Sequence, residues 1–351
     1  MGKNNKEQKI AHLLVIRLSA MGDVAMTVPV LSALTHQYPE LKITILTRAF
    51  FKPMFSQLSN VTVYEADVKG KHKGVFGLWK LFKELKALQI DAVADLHNVL
   101  RSNVLKKYFG WSGIPFVQID KGRKEKEALT TDKNKVFRPL KTTHERYADV
   151  LRKLGFSLEI SKTTLLSKQI LSDKAQKIIG RDTKKWIGIA PFAAFKGKMY
   201  PLDLMEEVIQ KLNNIEKYKI LLFGGGRNEI KQLDVLSDKY SNAISVAGQF
   251  TLEEELSIIS NLDIMLAMDS GNAHLSAMFS IPTVTLWGVT HPYAGFYPYG
   301  QDSENAILAD REKFPLIPTS VYGNKFPKGY EKVMEIIDPD KVAQKIIAIL
   351  D

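Results

Sequence analysis

The sequence predicts an α/β protein made of two parallel-sheet domains of the doubly wound kind. Three observations carry that expectation. Apolar runs of strand length alternate with helical segments along nearly the whole chain, a polar stretch from Gly155 to Lys174 interrupts the alternation once, and 351 residues are long for one such domain and comfortable for two. The boundary is placed so that residues 1–165 form the first domain and 166–351 the second, with the last helix able to pack back on the first.

In the first half, strands are expected at His12–Leu18, Lys42–Thr47, Val61–Glu65, Ala92–Leu96 and Phe116–Ile119. Helices at Val24–His36, Val75–Leu88, Leu100–Tyr108 and Thr143–Leu154 lie between or after them, where apolar residues return every three or four positions. The second half reads the same way. Its strands are Trp186–Ala190, Lys219–Phe223, Ala243–Val246, Asp263–Ala267 and Thr283–Trp287, and its helices Leu202–Leu212, Arg227–Tyr240, Leu252–Ile259 and Ala273–Phe279. A helix between consecutive strands is the connection that parallel pairing requires. No repeat at solenoid periods is present.

Composition narrows the class of protein. Hydrophobic residues make up 45% of the chain, and no apolar run approaches the roughly 20 residues of a membrane-spanning helix. The start, Met1-Gly2-Lys3-Asn4-Asn5-Lys6, is basic, but the apolar run after it is short and broken by Arg17, so it reads as the approach to a first strand and not as a signal peptide. Lys6 stands where a myristoylation signal needs Ser or Thr. With no cysteine, the chain has no disulfide, thiolate metal site or thiol nucleophile, which fits a reducing cytoplasm. A net charge of +11 implies an anionic partner: nucleic acid, a phosphorylated substrate or an acidic membrane surface. The basic residues concentrate in Lys69 to Lys86 and Lys121 to Lys141, and any one such run is by default a solvated face. Nucleic acid is not expected as the partner, because no zinc-finger spacing, heptad or RNP-like aromatic pattern accompanies the charge.

Two short segments carry most of the chemistry. Ser19-Ala20-Met21-Gly22-Asp23 and Asp269-Ser270-Gly271-Asn272-Ala273-His274 each follow a buried strand and open a helix, at the sheet edge where α/β proteins bind ligands. Gly22 is expected to turn the backbone sharply. Asp23 then either caps helix amides or points outward as a base, and Ser19, equally able to take those amides, would free it. In the second segment, the amides and positive end of a small-residue helix start suit a phosphate, with His274 one turn in able to reach the same anion or a ribose. Gly288-Val289-Thr290 after another strand and Gly224-Gly225-Gly226 after a third share the edge, although a triple glycine alone is as well explained by a tight turn.

These residues resemble the heptosyltransferase-like glycosyltransferases, glycosyltransferase family 9. The markers are Ser19 to Asp23 with Pro29 in the next helix, Asp91-Ala92-Val93-Ala94-Asp95 followed by Arg101-Ser102, and His144 opening a helix that ends at Gly155. Later come Lys198-Met199-Tyr200-Pro201, the glycine run with Glu229, Asp269-Ser270-Gly271 with His274, and Gly288-Val289-Thr290. The resemblance implies a GT-B architecture and an inverting, metal-independent transfer of a heptose or related sugar, with no cofactor. The donor would be a nucleotide-diphosphate sugar, ADP-heptose by preference, and the acceptor a lipid-linked saccharide such as the lipopolysaccharide core, reached from the cytoplasmic face of the inner membrane. It further implies that Asp23 is the base and that Lys198, or its neighbour Lys196, meets the departing diphosphate. Glu229, Asp269, Ser270, Gly271, His274, Gly288 and Thr290 would bind the donor, and Arg101, Ser19 and Gly22 the acceptor.

Two departures from the family pattern stand out. Ala193-Ala194-Phe195 occupies a loop where relatives often carry Ser or Thr, which leaves the donor open and keeps alive a non-catalytic nucleotide-binding protein as the alternative. The stretch Pro318 to Gly329, which carries cysteines in some relatives, has none. A nicotinamide enzyme is not expected, since Arg17 to Gly22 lacks the three-glycine fingerprint. Basic and aromatic residues assigned to the first domain, Trp79, Lys80, Lys121, Arg123 and Lys124, are candidates for peripheral contact with anionic lipid.

Overall fold

The computed structural model describes residues 10–180 and 182–351; the basic start at 1–9, and with it the reading of that segment, lies outside the described residues. They divide into two compact units. Unit 1 runs to Asp120 and resumes at His144–Thr164, and unit 2 comprises Lys121–Thr143 and Leu165–Asp351.

Unit 1 is built from β1 (His12–Ile16), α1 (Met21–Ala25), α2 (Thr27–Gln37), β2 (Lys42–Thr47), β3 (Val61–Glu65), α3 (Gly74–Lys86), β4 (Ala92–Asp95), α4 (Leu100–Trp111) and β5 (Phe116–Gln118). The chain continues through α5 (Arg123–Thr130), which belongs to unit 2, and α6 (Thr143–Lys153). The helix expected at Val24–His36 is two helices. Met26 ends α1 and caps α2, and Thr27 Oγ1 donates to the Val24 carbonyl at 2.7 Å across the break.

Unit 2 continues with α7 (Asp173–Ile179), β6 (Lys185–Ala190), α8 (Leu202–Asn213), β7 (Tyr218–Leu222), α9 (Arg227–Lys239), β8 (Ala243–Ser245) and α10 (Leu252–Ile259). It closes with β9 (Ile264–Met268), α11 (Gly271–Ala277), β10 (Thr283–Trp287), β11 (Ala306–Leu308) and α12 (Pro339–Leu350).

Both sheets are parallel throughout, in the orders β3-β2-β1-β4-β5 and β11-β10-β9-β6-β7-β8. The central strands β1 and β9 are buried along their whole length, as sheets covered on both faces demand of their inner strands. In unit 1, α3 buries Leu78, Leu81, Phe82 and Leu85, an i, i+3, i+4, i+7 stripe, against the sheet. In unit 2, Met205, Val208, Ile209 and Leu212 of α8 do the same. The last helix, α12, packs against α8 and β9 and buries Val342, Ala343, Ile346 and Leu350 in the core of unit 2.

The strand orders locate the ligand-binding edges. In the first sheet the winding reverses between β1 and β4, and in the second between β6 and β9. At such a switch point the loops leaving the two strand ends diverge, so a crevice opens beyond their carboxyl ends.

Candidate active site

The unit 1 switch point holds Asp23 and Arg101. The chain leaves β1 through Arg17, Leu18 and Ser19, joined to Ala20 by a cis peptide bond, and enters α1. Gly22 does not make the expected sharp turn, for it lies inside α1, where its carbonyl accepts the Met26 N–H at 2.9 Å. Nor does Ser19 free Asp23 from capping. Ala20 is the N-cap and brings no side-chain acceptor, so Asp23 reaches back and its Oδ2 accepts the Ala20 N–H at 3.3 Å.

The same oxygen pairs with Arg17 Nη2 at 2.5 Å, between side chains 28% exposed for Asp23 and 7% for Arg17. Arg17 Nη1 donates to the Leu96 carbonyl at 2.7 Å, which ties this pair to the end of β4. The guanidinium lies 5.8 Å from the centroid of the buried Tyr147 ring, whose hydroxyl donates to the Asp23 carbonyl at 3.3 Å. Burial pushes that hydroxyl's pKa up, keeping it a donor. Asp23 is thus a partly exposed carboxylate on a buried support. Arg101 sits in the first turn of α4, exposed, after the neighbouring strand. Asp91 and Asp95, which mark the family pattern, serve the framework. Asp91 accepts the Ala11 and His12 amides, and Asp95 accepts those of His97 and Asn98 and the Gln118 side chain.

The unit 2 switch point holds Lys198 and Asp269. After β6, a short 3-10 turn spans Lys196–Lys198. Lys198 Nζ lies 3.2 Å from Asp269 Oδ2, and the two side chains are only 14% and 9% exposed, whereas Lys196 points to solvent. The backbone around Lys198 is fixed by close packing. Val289 N–H donates to the Gly197 carbonyl at 3.0 Å, and a Cβ on Gly288 would stand 2.5 Å from that carbonyl and 2.5 Å from Met334 Sδ. Gly323, at φ +78°, leaves room for the Lys198 stem, which a Cβ there would meet at 2.3 Å. Gly288 therefore seats the loop that carries Lys198. The segment that lacks cysteines is organised by Ser320, whose Oγ accepts the Gly323 N–H at 3.0 Å and hydrogen-bonds Asn324 Oδ1 at 3.0 Å.

Around the Lys198–Asp269 pair lie buried polar atoms that no protein group satisfies. Ser270 is the N-cap of α11, yet its Oγ makes no capping bond. Ser270 Oγ, Asn272 Oδ1 and Thr290 Oγ1 are all buried without a hydrogen-bond partner. Buried polar groups are normally satisfied, so three orphans at one strand-end cluster mark a place for a polar ligand. Gly271 opens α11 and His274 is buried one turn in. Glu229, in the first turn of α9, accepts the Gly225 N–H at 2.8 Å and so braces the glycine run.

Comparison with known proteins agrees with this arrangement. The family model described as glycosyltransferase family 9 (heptosyltransferase) matches residues 78–320, well over half of the chain. The chain belongs to glycosyltransferase family 9. A relative, the lipopolysaccharide core heptosyltransferase OpsX of Haemophilus influenzae, is 24% identical over 285 residues, covering 80% of each chain. The solved family 9 glycosyltransferase of Veillonella parvula superposes with a TM-score of 0.75 at 20% identity, over 97% of both chains. Escherichia coli heptosyltransferase WaaC, solved with ADP, gives 0.67 at 20% identity over 96% of this chain and 99% of that one. This family 9 glycosyltransferase accordingly has the GT-B fold, two Rossmann-like parallel-sheet units, with the residues singled out above at the switch point of each.

Sequence reasoning missed Arg17 and Gly197 as parts of these sites, and took from Asn272 its place at a helix start but not its unpartnered side-chain oxygen. Arg17 had a visible signal, a lone cation closing an otherwise apolar strand.

Proposed function

We propose that this enzyme is an inverting, metal-independent glycosyltransferase that moves a heptose or related sugar from an ADP-sugar-type donor to a lipopolysaccharide-core or other envelope glycan acceptor. The observation that carries this reading is the cluster of unpartnered Ser270 Oγ, Asn272 Oδ1 and Thr290 Oγ1 around the little-exposed Lys198. A diphosphate and its sugar supply the acceptors and donors those atoms lack, and WaaC, of the same fold, was solved with ADP.

In the proposed reaction Asp23 takes the proton of the acceptor hydroxyl as its oxygen bonds to the anomeric carbon. The bond from that carbon to the diphosphate breaks on the opposite face, and the electron pair leaves with the nucleotide. Lys198 and the amides at the start of α11 then meet the growing negative charge. Arg17 holds the Asp23 carboxylate in place, and Arg101 takes an acidic group of the acceptor. Asp269 and His274 serve the donor sugar and phosphates, Glu229 the ribose. Such an acceptor is lipid-linked, so the enzyme works at the cytoplasmic face of the inner membrane in peripheral contact with anionic lipid.

The test joins calorimetry with ADP, ADP-heptose, UDP and GDP, with and without a divalent metal, to a transfer assay on Asp23→Asn. Metal-independent preference for the adenine ligands is expected. Asp23→Asn should lose about 10²-fold or more in turnover, the low end for a removed general base, while ADP affinity stays within about twofold. Turnover that survives the substitution overturns the assignment of the base. No binding across the panel would favour the non-catalytic alternative.

A further inference from the structure

One surface of unit 1 gathers exposed aromatic rings and lysines on two neighbouring helices. Phe76, Trp79, Lys80 and Lys83 lie at i, i+3, i+4 and i+7 of α3, on the face opposite its buried stripe. Phe76 is 91% exposed and Trp79 38%, and on the neighbouring α4 Trp111 is 75% exposed. The Trp79 and Trp111 rings are joined through Tyr108, whose ring centroid lies 5.0 Å from that of Trp79 and 5.5 Å from that of Trp111, and Phe76 stands one turn before Trp79 on the same face of α3. Exposed Lys73, Lys80, Lys83 and Lys107 border it, with the Lys83 ammonium 5.4 Å from the Trp79 ring centroid.

The platform is rigid. The loop before α3 is pinned by fully buried His72, whose Nδ1 accepts the Asp67 N–H at 3.1 Å and whose Nε2 lies 2.9 Å from Glu84 Oε2. Glu84 also accepts the Tyr64 hydroxyl at 2.5 Å. It is the single acidic residue between Lys69 and Lys86, and it points to this anchor.

We infer that the aromatic and lysine face of α3 and α4 docks the enzyme on an anionic phospholipid bilayer. Aromatic side chains settle at the boundary between headgroups and acyl chains, and lysines that border them meet negatively charged headgroups. A solvent-facing helix has no reason to keep Phe76, Trp79 and Trp111 outward, and charge complementarity selects lipid of negative sign. This deepens the membrane contact of the proposed function, and rests on it, by naming the surface. It also corrects the set expected from sequence, since Lys121, Arg123 and Lys124 belong to unit 2. The geometry serves the reaction, because α4 carries Arg101 at its first turn and Trp111 at its end, about 15 Å apart along one helix.

The experiment is sedimentation of the full chain with vesicles of phosphatidylcholine alone or with phosphatidylglycerol, read together with tryptophan emission. Binding only to the anionic vesicles is expected, weakened by salt and accompanied by a blue shift. F76S/W111S should lose about tenfold or more in partitioning, and K80E/K83E about 25-fold, since each well-placed lysine contributes about fivefold. Both changes lie on exposed positions, and ADP binding and turnover on a delipidated acceptor should hold in both variants. Vesicle binding unchanged in both variants, or absent in the parent chain, overturns the docking surface while leaving the transfer reading intact. A self-association that F76S/W111S abolishes without any vesicle dependence would assign the face to a second copy and overturn it as well. Loss of turnover on the delipidated acceptor in the parent chain would instead strike the transferase reading.

Discussion

Replacing Lys198 by alanine separates its two roles. In the free protein its ammonium neutralises Asp269 at 3.2 Å, with both side chains little exposed. Once a diphosphate is bound, the same ammonium would make a charge-assisted hydrogen bond, worth about 1.5–3 kcal/mol, so ADP should bind about 10- to 150-fold more weakly to Lys198→Ala. The variant also strands the Asp269 carboxylate, at a cost of about 1–3 kcal/mol, and each kcal/mol lowers Tm by about 2–4 °C in a unit this size. Adding Asp269→Asn should restore the melting temperature and not the affinity. Lys196→Ala, at an exposed position, should leave affinity within about twofold. Calorimetric titration with ADP and with uncharged adenosine reads the difference, because only the charged ligand should suffer. If Lys196→Ala carries the loss, or if adenosine weakens as much as ADP, the reasoning from this ion pair is refuted.

Arg17→Lys keeps the charge but loses the fork that spans Asp23 and the Leu96 carbonyl, so kcat should fall about tenfold while ADP affinity holds; a loss confined to KM would refute a positioning role. Gly288→Ala drives a Cβ into the Gly197 carbonyl and Met334, which should destabilise unit 2 by about 1–3 kcal/mol in calorimetry and weaken ADP by displacing Lys198. His291 is buried, and burial followed by the nearby Arg311 charge lowers its pKa from 6.5 to about 4. The unfolded chain therefore takes up this proton first, and the stability that neutral His291 contributes is complete above pH 6.5 and lost as pH falls toward 4. Denaturant titrations across that window should show a slope that His291→Phe flattens.

The strands were legible because the centres of parallel sheets demand continuous apolar runs; β2 and β10, both inner strands, begin and end where the pattern does. What escaped is what periodicity does not encode. β11 is three residues at a sheet edge, and α5, Arg-Lys-Glu-Lys-Glu-Ala-Leu-Thr, reads as a charge run because it buries little beyond Leu129 and the stem of Lys126. The segment Lys121–Thr143 was read with the first domain, yet Phe137 packs 5.1 Å from His291 and 4.9 Å from Tyr293, and Arg311 stacks over it at 3.5 Å. Contacts so distant along the chain leave no local signature. At the sites, Asp23, Lys198 and Asp269 were visible as charged residues after apolar strands. Their immediate surroundings were hidden: the Arg17 ion pair with Asp23, and the close packing of Gly288 against the Gly197 carbonyl and Met334, depend on contacts distant along the chain.

The ion pair at each switch point has a consequence for the resting enzyme. Arg17 with Asp23 and Lys198 with Asp269 each close their own charge before any substrate arrives. For the donor proposed above, an incoming diphosphate would draw Lys198 away from Asp269, and that exchange would turn Asp269 from the partner of a cation into a free acceptor for sugar hydroxyls. The arriving donor would thereby prepare its own second contact. Once the nucleotide left, Asp269 would reclaim the lysine, so the spent diphosphate would face a standing competitor inside the site, and tight retention of product would be given up in favour of turnover.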